Sequence, residues 1–441
     1  MKLKLELLPS KSLGDFILGM SISDALNIIK QNNVLIDSAQ IIFNDNDPLS
    51  IDIVIRLVND GIILLFEPKS QRLRVIEIFD IKKLTLSYRG VVFSKEMQVA
   101  TFVDIYNKFG PSYPGDFNDS KSIYHLHYPG LSFSFKIPKE FNSLYQESTE
   151  LPVELPDGTT PMVEKIFIYS GQQMKNPLTI LPNQNEDIII CPNNGIYFTK
   201  RNCILTFYSS TQDVLSELGP PSKIYHKEDD NMKIHTSTEG SFVQDYFYNY
   251  FHLGIDILFD IKTNTVKKFI FHTNFPTHYE FNLYTKCSFK IYGPSTSTQL
   301  FNNIKNFINR KSNGNGGSGS SIGELQQQIE GVNQSNSSGG SAIVSKSPPN
   351  PSSMNMLEIT NSSNFEFNLD QSLPFIHPDL KWDDVQKIYG KSGKPVVNNR
   401  GSSSNPFGST YFYGYSGIIF EVMKNNYIAS VCLFKDYKDQ H

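Results

Sequence analysis

Four short stretches of the chain share one pattern of apolar and polar positions. Gly61–Phe66, Gly130–Phe135, Gly254–Phe259 and Gly417–Val422 each open on a glycine and then set large apolar residues at alternate positions. A period of two after a turn residue predicts a half-buried β-strand. Three of the four are followed, across a short polar turn, by a second strand-like run: Leu73–Phe79, Val266–Phe271 and Tyr427–Phe434. Turns such as Asp260–Asn264 and Lys424–Asn426 have hairpin composition. The N-terminal run to Leu8 alternates charge with leucine and reads as a strand as well.

A different period appears upstream of each stretch. Thr101–Gly110 and Ser210–Gly219 both begin with a hydroxyl residue, carry an aspartate three positions later and stop at a glycine followed by proline. The hydroxyl accepts from a free amide of the first helical turn, and the acid suits the positive end of the helix dipole. The closing glycine tolerates the left-handed conformation that ends a helix. Lys381–Gly390 repeats the spacing, with Asp379 expected to cap because Lys381 offers no acceptor. Ser21–Ile29 is a fourth copy without the closing glycine. Helices of about two turns are unstable alone, so each is expected to lie on a sheet.

These patterns predict an α+β protein made of repeated units, each a short helix followed by an antiparallel β-meander, with one long disordered insertion. The units are placed at 1–98, at 99–205 with extra strands, at 206–294, and at 373–435, the last packing back on the body. Residues 309–364, rich in Ser, Asn and Gly, form the insertion: they hold too little apolar surface to offset a backbone-ordering cost of about 1–2 kcal/mol per residue.

Composition narrows the function classes. Aromatics make up 12% of the 441 residues, enough for real cores, and the formal net charge of −4 carries no basic excess pointing to nucleic acid or anionic lipid. Cys191, Cys203, Cys287 and Cys432 are scattered with no paired spacing, which favours reduced thiols in a cytoplasmic protein. No apolar run reaches the roughly 18 residues of a spanning helix, and the N-terminus lacks the apolar stretch of a signal peptide.

Catalytic signatures are weak. Gly314–Gly319 matches GxGxxG in letters, but it neither follows a strand nor opens a helix. Gly390-Lys391-Ser392 lacks the first glycine of a phosphate loop, and its helix precedes the lysine. His125 and His127 share a strand face without a third ligand at suitable spacing, and His272–His278 reads as a strand end and a proline turn. No catalytic residue, cofactor or metal is assigned, and the chain is read as not an enzyme. One stretch has a binding rationale: Asn405-Pro406-Phe407-Gly408 is a turn able to project its phenylalanine toward a hydrophobic pocket of a trafficking partner, or to pack it under the next strand.

Several segments together resemble the phagosome assembly factor family: Ser12–Met20, Gln71–Glu77, Pro129–Phe135, Met232–His235, Asp245–Phe251, Leu253–Asp260, Phe271–Pro276 and Asn405–Thr410, in the family's order. The resemblance covers most of the chain outside the Ser/Asn/Gly tract, which departs from the family pattern. It implies a non-catalytic adaptor or regulator of autophagy. It also implies association with a large β-propeller protein, the breast-carcinoma-amplified-sequence-three protein, and recruitment with it from the cytoplasm to the pre-autophagosomal structure. Membrane association would then be indirect, through the partner. The alternatives are a vesicle-trafficking adaptor acting through the Phe407 turn and a cryptic small-molecule-binding protein.

Overall fold

The computed structural model describes residues 3–112, 115–144, 154–180, 186–227, 244–314, 373–399 and 408–436. The N-terminal half opens with β1 (Lys4–Leu8), β2 (Ser12–Leu13) and β3 (Phe16–Ile17), then helix α1 (Ile22–Gln31). Next come β4 (Gln40–Ile42), β5 (Ile53–Leu57), β6 (Ile62–Phe66) and β7 (Leu73–Ile78), then β8 (Thr85–Tyr88) and β9 (Val91–Ser94). Helix α2 (Phe102–Phe109) leads into β10 (Asp116–Asn118), β11 (Ile123–Tyr128), β12 (Leu131–Lys136) and β13 (Val163–Tyr169).

The C-terminal half runs in the same sense. Strands β14 (Asp187–Cys191), β15 (Gly195–Phe198) and β16 (Cys203–Thr206) precede α3 (Thr211–Leu218), followed by β17 (Lys223–His226), β18 (Tyr246–Tyr250), β19 (Ile255–Phe259) and β20 (Val266–His272). Then come β21 (Ser288–Tyr292), α4 (Pro294–Gly314), β22 (Phe375–Ile376) and α5 (Trp382–Tyr389). The half ends in β23 (Val396–Asn398), β24 (Thr410–Tyr415), β25 (Ile418–Val422) and β26 (Ile428–Phe434). The architecture is α+β. The tract read as starting at residue 309 begins inside α4, and 315–364 lie outside the described residues.

Each half has a five-stranded and an eight-stranded sheet. The five-stranded orders are β3-β2-β1-β8-β9 and β16-β15-β14-β21-β22; the eight-stranded orders are β10-β11-β12-β13-β7-β6-β5-β4 and β17-β18-β19-β20-β26-β25-β24-β23. The central contact of each small sheet is parallel, β1 on β8 and β14 on β21. Each large sheet joins two antiparallel meanders through their last strands, β7 on β13 and β20 on β26. One apolar core per half fills the space between the sheets. Strand β14 is buried on both faces: Ile188 and Ile190 enter that core, while Ile189 and Cys191 pack with Leu300 and Ile304 of α4. Its unbroken apolar run follows from this double coverage.

The helices obey the capping chemistry read from their sequences. Ser21, Thr101 and Ser210 each accept from the amide of the aspartate three residues on, whose carboxylate accepts from the cap in return. Helix α1, without a glycine, closes on Asn32, whose backbone and side-chain N–H both donate to Ile28 O. Lys381 caps α5 without a side-chain bond, and Asp379 does not substitute for it: that carboxylate is paired with Lys286 instead. The first amide of α5 is satisfied by the chain, Trp382 N donating to Asn426 O at 2.7 Å.

Three tyrosines tie helix ends to strands. Tyr128, Tyr250 and Tyr415 donate to the carbonyls of Gly110, Gly219 and Gly390 at 2.9, 2.9 and 2.8 Å. A last-turn carbonyl that a short helix leaves open is thereby satisfied, a bond worth about 1 kcal/mol. Gly254 is demanded twice over. Its φ is +71°, and a Cβ there would run into Thr285 O and stand 2.9 Å from Cys287 N, both backbone. Gly110 has a similar φ of +84° but open space around it.

Gly254→Ala is therefore expected to cost about 3 kcal/mol or more, because backbone collision adds to strain, whereas Gly110→Ala costs about 1 kcal/mol of strain alone. Urea unfolding of both variants measures the difference, and equal losses would contradict the close approach at residue 254.

Candidate functional site at the junction of the two halves

The connection from β20 to β21 and the turn into β26 together carry contacts between the halves. Strand β20 ends at His272, and the chain then turns at Asn274, whose φ is +53°. Thr273, fully buried, donates its hydroxyl to the carbonyls of Ile428 and Ala429 at 2.7 and 2.8 Å. Asn274 and Gln71 exchange bonds across the junction: Asn274 Nδ2 donates to Gln71 Oε1 and Gln71 Nε2 donates to Asn274 O, both at 2.8 Å. Further along, Phe281 packs on the core of the N-terminal half. Phe275 joins Met423, Tyr427 and Ala429, against which Leu49 of the N-terminal half rests. Tyr427 also donates to Asp47 Oδ1 at 2.7 Å.

Buried charge surrounds this connection. The imidazole of His272 lies between Asp256, 2.9 Å from Nε2, and Glu280, 3.3 Å from Nδ1, and stacks on Tyr284 with centroids 3.7 Å apart. Tyr284 donates to both oxygens of Asp256, and Asn249 Nδ2 donates to Oδ1 at 2.7 Å. Burial works against a charged imidazole, but the hydrogen bonds and charges of the two carboxylates outweigh it and raise His272 to about 9. A second cluster sits nearby. Burial would raise the carboxyl of Glu421, yet His278 at 3.5 Å and the hydroxyls of Ser430 and Thr410, both at 2.7 Å, hold it down at about 2. These acids and bases pair with one another, His278 Nε2 through charge alone, without a hydrogen bond.

A cleft of about 400 Å³ opens beside this network. One wall is the start of α1 with Arg72, which opens the turn into β7; the other is Arg201, the β18–β19 turn and the segment entering β21. Arg201 pairs with Glu186 at 3.4 Å, and Glu186 also accepts from the amides of Lys200 and Arg201. Lys286 is buried, paired with Asp379, and stands over the Phe275 ring at 5.0 Å; burial pushes its ammonium pKa down. The guanidinium of Arg72 differs. It has neither a hydrogen bond nor an ion pair among the described residues. Burial disfavours its charge, offset only in part by the field of Asp24.

Sequence reading pointed elsewhere. Asn405, Pro406 and Phe407 lie outside the described residues, whereas Gly408 lines a second cavity of about 260 Å³ with Asp45, His278 and Lys424. His125 and His127 do share a face, each bonded to a serine of β12 at 2.9 and 2.8 Å. Burial lowers both imidazoles, and no group of three or more His, Cys, Asp or Glu among the described residues is placed to hold a metal. All four cysteines are free thiols. The strand end and proline turn at His272–His278 are present, but their bridging role was missed. The signal available was the density of side-chain donors and acceptors in His272-Thr273-Asn274 directly after the apolar run Phe269-Ile270-Phe271.

Comparison with known proteins is consistent along the chain. The profile of a family described as phagosome assembly factor 1 matches residues 12–316 and 354–434. A PHAF1 protein of Arabidopsis thaliana is 35% identical over 448 aligned residues, covering 98% of this chain and 92% of its own. A PHAF1 protein of Drosophila melanogaster is 33% identical over 98% of this chain and 94% of its own, and one of Caenorhabditis elegans 26% identical over 97% and 92%. No solved structure matches the chain.

The two clusters set a pH window for stability. His272, raised above its unfolded value of 6.5, contributes fully below that pH and loses its contribution as pH climbs through about 9. Glu421, depressed from 4.5, contributes fully above that value and loses it as pH falls toward about 2. Stability is expected to be highest between these limits, with His272→Gln flattening the alkaline limb and also weakening the acid limb through Glu280, whose carboxyl, despite burial, His272 holds down. Denaturation midpoints across pH for wild type and variant check this.

Proposed function

This chain belongs to the phagosome assembly factor 1 family, and from that premise we propose that it is a non-catalytic adaptor in the assembly of phagosomes or autophagosomes. Its role is to present a fixed surface to another protein, a large β-propeller, and to be brought with it to the pre-autophagosomal structure. No helix among the described residues is long and apolar enough to cross a membrane, which fits delivery through a partner.

The observation that carries this reading is the dressing of the sheet edges. Edge strands normally avoid exposed apolar side chains because an open edge invites pairing. Here β9 exposes Val91 and Val92, β17 exposes Ile224 and Tyr225, and β23 exposes Val396 and Val397, each at an outer edge of its sheet. Such surface suits a protein that is held by another. The acids and bases of the junction, by contrast, are bonded into the fold, which supports a scaffold in preference to an enzyme.

The test is affinity capture of the tagged full chain from its own cells, fed and starved, with native sizing. Capture is expected to recover one abundant β-propeller protein, and starvation to move the tag onto forming autophagosomes. Migration as an isolated chain under both conditions would overturn the adaptor reading.

A further inference from the structure

The cleft beside the junction has a use that an adaptor role does not absorb. Arg72 presents five N–H donors there, and none of them has an acceptor among the described residues. A half-buried guanidinium without a protein acceptor is left to solvent or to an anion that enters the cleft, and an anion offsets its desolvation better. The neighbouring acids among the described residues make no hydrogen bond or ion pair with Arg72, and Asp24 reaches it only as a field. Asp24 Oδ2 accepts from Ser21 at 2.7 Å, and Glu186 holds Arg201 and two backbone amides. Lys286 spends its charge on Asp379. Among the described residues, that leaves Arg72 as the cleft's arginine or lysine without a hydrogen bond or ion pair.

Its surroundings supply donors from other directions. Ser23 and Asn27 line the same wall, Ser23 in the first turn of α1, where the helix dipole favours negative charge, and Asn27 one turn further along as a side-chain donor. Across the cleft Phe251 and Leu253 offer an apolar wall. Arg72, Ser23 and Asn27 together carry more N–H and O–H donors than the two oxygens of a carboxylate use, and phosphate has the further oxygens to take them. The volume, about 400 Å³, falls in the range of small-ligand sites.

We propose that this cleft binds a phosphate monoester, its phosphate held by Arg72 with Ser23 and Asn27 and its body lying against Phe251 and Leu253. The phosphate belongs to a soluble metabolite or to a lipid headgroup presented at a surface, two sources that share the chemistry. The site is separate from the sheet edges, so its failure leaves the adaptor reading standing, and failure of partner capture leaves the site standing.

The experiment is calorimetric titration of the full chain with inorganic phosphate, with AMP and with acetate, alongside flotation with phosphatidylcholine vesicles with and without phosphatidic acid. Saturable binding of phosphate and AMP assigns a soluble ligand; binding confined to phosphatidic acid vesicles assigns a headgroup. In either case Arg72→Gln is expected to weaken binding by about tenfold or more, and exposed Lys175→Gln to leave it unchanged. Ser23→Asp provides a second variant: an acid in the first turn suits the helix, yet places a negative charge where the phosphate would sit. Loss of binding in Ser23→Asp with an unaltered circular dichroism spectrum supports the site even if Arg72→Gln fails to fold. No saturable binding of any phosphate probe, acetate binding as tightly as phosphate, or affinity unmoved in Ser23→Asp would each overturn it.

Discussion

A single buried imidazole, held between two carboxylates, carries much of the organisation of this molecule. His272 sits at the end of β20, where the chain must leave one half, reach the other and return as β21. A turn making that crossing exposes backbone and side-chain polar groups to a dry environment, and each needs a partner. Asp256 and Glu280 on either side of the ring, with Tyr284 stacked against it, supply those partners and fix the path. Removing one member would leave uncompensated charge, so the network is costly to break even where its net contribution is modest.

From that fixed path the rest of the junction follows. With His272 and Thr273 anchored, Asn274 meets Gln71 in a reciprocal amide pair, and Phe281 reaches the core of the N-terminal half. Asp47 and Tyr427 add a second polar contact and Leu49 an apolar one. The cleft is a by-product of this geometry. The start of α1 and Arg72 belong to one half, Arg201 and Phe251 to the other, and the bridging connection holds the two walls apart.

Within each half, the same small devices recur along the chain. The cap residues Ser21, Thr101, Ser210 and Lys381 each form an isolated bridge to the residue opening the meander's last strand: Arg72, Met162, Thr265 and Tyr427. Helices too short to persist alone are thereby pinned at the start by a bridge, and three of them at the end by a tyrosine. The meanders then join through their last strands, which leaves the opposite strands as edges facing outward.

Local chemistry was legible in the residues themselves. The capping boxes at Ser21, Thr101 and Ser210, the glycine-led strands and the hairpin turns depend on neighbours within a few positions, so spacing alone reveals them. Helix α4 was legible too, since Leu300, Phe301, Ile304 and Ile308 recur at helical spacing, but only the tertiary structure places that face against β14. Asp379 looked like a cap because its distant partner, Lys286, is 93 residues away in the chain. The junction was illegible for the same reason: Gln71 and Asn274 are 203 residues apart, and nothing in either neighbourhood specifies the other. Short-range hydrogen bonding and alternation were determined by the sequence on its face. Which buried charges meet, and where a cleft opens between them, was decided only when the two halves closed on one connection, because desolvation selects partners by proximity in space.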